Sequence, residues 1–313
     1  MNEICRIRPI SEPREWEDLF AAVPKPYLAQ SRPYGEALGA IRGFRIGCHA
    51  FEYAGCIVAI CQVREMRVAG ITMASRIEHG PMFLDPLPSI EVRRSVMRGV
   101  HERWRLFRGG PVKIQPALED IQDNRKLLQE LGYKDLKKGV WHSARIDLSQ
   151  RDEELRKCLL PQWRRHLNAA FRNDLELCRC DPAGGIDSLI ARHQENMKNK
   201  AFRGPSPAFV RALYKARPAD FHILQVALDG KAVTGACWIR FGQAAQCFIS
   251  WLGDAGRKCH AGNFLFWNGI LEMQKAGCRW LDVGGIEPGS GYADFKQGMG
   301  GTEYRLIGDW VCY

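Results

Sequence analysis

FHILQVALDGKAVTGACWIRFGQAAQCFISWLG, residues 221–253, followed by GNFLFWNGILEMQKAG (262–277) and RWLDVGG (279–285), decides the fold. Asp229-Gly230 and Gly242-Gln243 divide the first run into FHILQVALD, KAVTGACWIRF and AAQCFISWLG, and apolar segments separated by such turn signals predict antiparallel strands. The next two segments read as a helix and a short strand. A strand–helix–strand step places two parallel neighbours in an otherwise antiparallel sheet. GYADFKQGMGG (291–301) and a last strand, TEYRLIGDWVCY (302–313), close the pattern.

The same order occurs earlier in the chain. GCHAFEY (47–53), CIVAICQVREMRV (56–68) and ITMASRIEHG (71–80) read as three strands, with turns at Ala54-Gly55 and Ala69-Gly70. After the loop PMFLDPLPS (81–89), the spacing predicts a helix over 90–107 with Val92, Val96, Val100 and Trp104 or Phe107 on one face. A strand (111–117), a helix (119–132) and the strand GVWHSARIDL (139–148) follow. An internal duplication of roughly 150 residues is the simplest account, far longer than a solenoid repeat. Helices over 155–171 and 186–201 open the second copy, and no low-complexity linker separates the two.

With 313 residues, 46% of them hydrophobic, the chain can bury one large core or two medium ones. Lys and Arg number 45 against 35 Asp and Glu, a net charge of +10. That surplus favours polyanionic partners such as nucleic acid, a nucleotide diphosphate or an anionic membrane face. Of the twelve cysteines, Cys56, Cys61, Cys237 and Cys247 sit in apolar runs, and the closest pair, Cys178 and Cys180, lacks metal-ligand spacing. We expect reduced, buried thiols, no metal site and a cytoplasmic location. MNEICRIRPI lacks the layout of a signal peptide, and no apolar run approaches the roughly 20 residues that span a bilayer. Peripheral contact with a membrane stays open, and no stable protein partner is expected.

A more specific signal lies in FLFWNGILEMQKAGCRWLDVGGI (264–286) and DFKQGMGGTEYRLIG (294–308). A helix leads to a strand ending in Asp282, then Gly284 and Gly285, the pair Phe295-Lys296, a turn at Gly300-Gly301, and a strand ending in Ile307-Gly308. In this order the block resembles the Fem family of peptidyltransferases, which take an amino acid from aminoacyl-tRNA. Weaker echoes at 29–38 (AQSRPYGEAL), 79–85 (HGPMFLD) and 162–177 (QWRRHLNAAFRNDLEL) extend the resemblance over most of the chain. The resemblance implies an α/β fold of two tandem Gcn5-related N-acyltransferase (GNAT-like) domains with mixed, mainly antiparallel sheets. No heptad run provides a coiled-coil arm. Domain 1 is expected over 1–147, completed by the C-terminal strand 303–313, and domain 2 over 148–302. Two departures bear on the acceptor: only Glu36 and Arg42 stand where shorter family members carry a lysine, and His79 stands where arginine is frequent.

The resemblance also implies chemistry. An amine attacks the ester that joins an amino acid to tRNA, and Lys296, supported by Phe295, would stabilise the oxyanion. An activated ester needs no covalent nucleophile, and no Ser-His-Asp or Cys-His arrangement stands out. Asp85, Lys200 and Arg203 (within NMKNKAFRGPSP, 196–207) and Trp251 are the substrate-binding candidates. For Asp85 a turn preceding Pro86 is the competing account, and for the basic stretch a solvated face. Asp282 reads as a base or as a cap for the following glycines. WRRHLNAAFR (163–172) and RRSVMRGVHERWRLFR (93–108) either grip tRNA phosphates or are amphipathic helices with Trp163 and Trp104 in the core.

Charged tRNA and a peptide or nucleotide-linked peptide acceptor are the expected partners, with no cofactor beyond the aminoacyl-tRNA co-substrate. An acyl-CoA-dependent N-acyltransferase is the nearest rival. That activity normally uses a Gln/Arg-x-x-Gly-x-Gly/Ala pyrophosphate loop, and neither GPMFLDPLPS (80–89) nor DAGRKCHAGN (254–263) fits it. A non-catalytic tRNA-binding protein is the third reading, opposed by the Phe-Lys pair.

Overall fold

The turn dipeptides separate the strands in the structure, a computed structural model that describes residues 5–104, 110–200 and 202–313. The chain divides into two units, Met1–His142 with Tyr304–Tyr313 and Ser143–Glu303. In the first unit the strands are β1 (Arg6–Pro9), β2 (Arg45–Tyr53), β3 (Cys56–Val68), β4 (Ile71–Glu78), β5 (Met82–Phe83), β6 (Val112–Gln115), β7 (Lys134–Asp135) and β15 (Trp310–Cys312). They are ordered β1-β2-β3-β4-β6-β15-β7, with β5 beside β3. Among the described residues of this unit, only β4 and β6 run parallel. Their crossover is helix Ile90–Arg103, whose Ser89 cap accepts the Val92 amide at 3.3 Å. Val96, Val100 and Trp104 are fully buried with Ile77, Val112 and Ile114, while Val92 is half-buried. Phe107, the other candidate for this face, lies outside the described residues.

The second unit repeats the plan. Its strands are β8 (His142–Asp147), β9 (Leu175–Cys180), β10 (Phe221–Leu228), β11 (Lys231–Phe241), β12 (Ala244–Leu252), β13 (Trp280–Asp282) and β14 (Thr302–Arg305), ordered β9-β10-β11-β12-β13-β8-β14. β12 and β13 are parallel, and helix Ala261–Lys275 crosses between them. That helix buries Leu265, Phe266, Ile270 and Met273 in one core with Ala236, Trp238 and Leu281. The sheets are mixed and mainly antiparallel, as the pattern predicts.

Connectivity differs from a plain duplication. GVWHSARIDL, read as the end of the first copy, supplies β8 to the second sheet, antiparallel to β13. TEYRLIGDWVCY, read as one strand, breaks at Gly308 (φ +88°) into β14 and β15, and β15 pairs with β6 and β7 in the first sheet. β8 is buried although it reads HSARID. Arg145 lies directly opposite Asp282, and Ser143 Oγ donates to that carboxylate at 2.6 Å.

Further differences are local. The helix expected over 155–171 is two, Asp152–Cys158 and Pro161–Ala170, because Pro161 has no amide to continue a helix but suits a first turn. The next helix is Pro182–Lys200, longer at its start than read, and residue 201 lies outside the described residues. Helix Pro207–Ala216 and the edge strands β1 and β9 were not anticipated. Cys61, Cys237 and Cys247 are buried, but Cys56, the first residue after the turn, is exposed. Among the described residues no helix is long and apolar enough to cross a membrane.

Candidate active site

Parallel pairing of β12 with β13 runs only from Ala244 opposite Trp280 to Gln246 opposite Asp282, while β12 continues to Leu252. Just beyond, Phe248 is an extra residue between the pairs Trp238–Cys247 and Cys237–Ile249. Such a bulge bends the strand. The two strands therefore part near Cys247 and Val283.

Lys296 reaches this parting point. Its helix, Gly291–Gln297, begins at Ser290, whose Oγ accepts the Ala293 amide at 3.1 Å. Lys296 is 6% exposed, and its Nζ donates to the Gly285 carbonyl at 2.7 Å. The same ammonium lies 4.5 Å from the centroid of the Tyr292 ring, and Tyr292 Oη is 3.2 Å from Ser250 Oγ on β12. Burial pushes the Lys296 ammonium below the ordinary lysine range, and the Asp282 carboxylate opposes that shift. Asp282 accepts from the Gly284 amide at 2.8 Å as well as from Ser143, so it secures the glycine turn. Burial raises the Cys247 thiol to about 12, which keeps it neutral beside the lysine.

Phe295 packs among neighbouring rings. Its ring packs 5.6 Å from Trp163 and edge-on to Phe266 at 5.1 Å, and stacks on Tyr292 at 6.1 Å. Phe295 anchors the helix, and Tyr292 is the ring that touches the ammonium. Sequence reasoning missed Tyr292 and Ser250. The available signal was the i,i+4 spacing of Tyr292 and Lys296, which puts them on one helix face. Two glycines allow this helix to seat. A Cβ at Gly298 would lie 2.7 Å from Trp163 Cδ1, and one at Gly300 (φ +78°) would lie 2.4 Å from the Cys158 carbonyl oxygen.

The remaining candidates lie elsewhere. Asp85, in the first unit, is exposed and its Oδ1 accepts the Leu87 amide at 2.8 Å, the turn arrangement. Trp251 follows Ser250 on β12, so its side chain leaves the opposite face, where Arg192 lies 5.3 Å from its ring. Lys200 is exposed at the end of helix Pro182–Lys200 and feels Arg257 and Asp254. Arg203 is exposed. Trp163 and Trp104 are core residues, as the amphipathic reading of the basic helices holds. Among the described residues no three His, Cys, Asp or Glu side chains converge as a metal site.

The sequence pattern of the acetyltransferase (GNAT) domain matches residues 156–297. Among solved structures, a tandem GNAT protein from the clavulanic acid biosynthesis pathway superposes with a TM-score of 0.55, covering 98% of both chains at 11% identity. The fold is a tandem GNAT fold. FemX shares this tandem GNAT arrangement more closely, with a TM-score of 0.78 over 97% of this chain and 96% of its own, at 15% identity. L-PGS from Bacillus licheniformis superposes at 0.55, covering 96% of this chain and 91% of its own at 12% identity. No curated protein sequence matches the chain.

Proposed function

We propose that the protein moves an amino acid from aminoacyl-tRNA to an amine of a peptide or nucleotide-linked peptide acceptor, with Lys296 stabilising the tetrahedral oxyanion. The acceptor nitrogen bonds to the ester carbonyl carbon, whose oxygen becomes anionic. Collapse breaks the bond to the ribose oxygen, and the proton lost by the amine passes to that leaving oxygen. The observation that carries the reading is the buried Lys296 ammonium: of its three donors one goes to Gly285 and one faces Tyr292, leaving one for an oxyanion. The likeness to FemX agrees with the resemblance read in the Phe-Lys block.

Acyl transfer from an acyl-CoA is the second reading, favoured by the acetyltransferase domain match. The loops weigh against it. Between β12 and its helix, the amides of Arg257, Cys259, His260 and Asn263 already donate to nearby backbone carbonyls, which leaves fewer of them for a diphosphate. The corresponding loop of the first unit contains Pro81, Pro86 and Pro88, which lack amide hydrogens. The test supplies charged tRNA or acyl-CoA with candidate amines, with and without ribonuclease. Transfer that needs acyl-CoA, or that survives digestion of the tRNA, would overturn the proposal.

Tyr292 offers a finer check. Tyr292→Phe keeps the ring beside the ammonium and should stay within about two-fold of the parent turnover, whereas Tyr292→Ala should be roughly ten-fold slower. Equal turnover in the two variants would remove the ring from the mechanism.

The pH profile has a defined sign. Oxyanion stabilisation needs the ammonium, so turnover at saturating substrates should fall as pH rises through a value below the ordinary lysine range. Over the window between the folded value and the higher unfolded one, the unfolded chain binds more protons, so stability rises with pH. The two trends run in opposite directions. Lys296→Met should remove both, which pH–rate profiles and denaturant titrations of the two proteins would read directly.

A further inference from the structure

The β3–β4 hairpin extends past its sheet. β2 begins pairing with β3 at Arg45 opposite Glu65, and β6 begins pairing with β4 at Val112 opposite Ser75. Among the described residues, Met66 to Ala74 therefore pair only with one another, in a two-stranded ribbon about 10 Å long. Val68 faces Ile71 and Met66 faces Ala74, and the bulge that skips Met73 keeps it on the Met66 face. On this single face Met66, Val68, Ile71 and Met73 are 47%, 59%, 67% and 50% exposed.

This apolar face does not extend the core. It continues the sheet face that carries Arg64 opposite Arg76, while the buried Val63 and Ile77 point the other way. Arg64 is bonded to Glu78, and Arg76 lies 2.9 Å from Asp309, so a charged row closes the base of the ribbon. Around that base Arg42 and Arg45 are exposed, against the half-buried Glu65, while Arg67 leaves the other face of the ribbon and bonds the Gly70 carbonyl at its turn. Such a tip, apolar at the end and cationic at the shoulder, matches the order of acyl chains and anionic headgroups. The same arginines would repel each other between two copies docked tip to tip.

We propose that the hairpin anchors the protein to an anionic lipid surface. Met66, Val68, Ile71 and Met73 enter the acyl boundary, while Arg42 and Arg45 lie among the headgroups. This inference is independent of the chemistry assigned to Lys296, and its test needs no substrate.

The test is co-sedimentation of the full chain with phosphatidylcholine vesicles, with and without phosphatidylglycerol. The parent should bind only the anionic vesicles and release at high salt, and Ile71→Ser/Met73→Ser should bind about ten-fold more weakly or worse, with an unchanged thermal melt because both side chains are exposed. Arg42→Gln/Arg45→Gln should weaken binding by reducing the charge attraction. Failure of the parent to bind, or equal binding by the serine variant, would overturn the proposal. So would a concentration-dependent dimer in sedimentation analysis that the serine variant abolishes, since the face would then meet a second copy.

Discussion

Replacing Lys296 with Met should lower turnover by about a hundred-fold or more, equivalent to about 3 kcal/mol of barrier, without unfolding the protein. Methionine matches the aliphatic stem of lysine and suits the contacts with Tyr292, while the single bond to Gly285 is lost. Circular dichroism and a melting curve separate loss of chemistry from loss of fold. Lys296→Arg is the informative companion: guanidinium keeps the charge but is planar and larger, so it should recover little activity in a site this buried. Near-normal turnover in the Met variant would take Lys296 out of the mechanism.

Gly300→Ala should cost about 2–4 kcal/mol of stability. Two causes act together. A φ of +78° strains any residue with a Cβ, and here that Cβ would lie 2.4 Å from a backbone oxygen, Cys158 O, which cannot rotate away as a side chain would. Gly291→Ala is the control, because its Cβ would meet nothing within 4 Å at the start of the same helix. It should be neutral or slightly stabilising. Denaturant titration of both variants measures the contrast, and equal stabilities would show that the turn after Lys296 adjusts freely.

Much of the fold was legible because its signals are local. Asp229-Gly230 and Ala69-Gly70 mark strand ends through turn chemistry, and the spacing of Val96, Val100 and Trp104 marks the buried face of a helix. Pro161 was a legible break that the longer apolar pattern outweighed. The candidate site was legible in part. Lys296 stood out through the Phe-Lys block, but its contact with Tyr292 depends on how far the helix sinks against Trp163, which Gly298 permits. For Asp85 the turn reading matches the geometry, with Oδ1 on the Leu87 amide.

What the sequence determined alone is the central strands and crossover helices and their repetition, since turns, caps and periodicity act over a few residues. Tertiary structure decided which sheet receives β8. HSARID carries no pattern that names a sheet, and the pairing of Arg145 and Ser143 with Asp282, more than a hundred residues away, offsets the cost of burying them. It also decided that Lys296 is buried. Desolvation, the cause of its altered ammonium, depends on every element packed around the parting of β12 and β13, and not on the residues beside it in the chain.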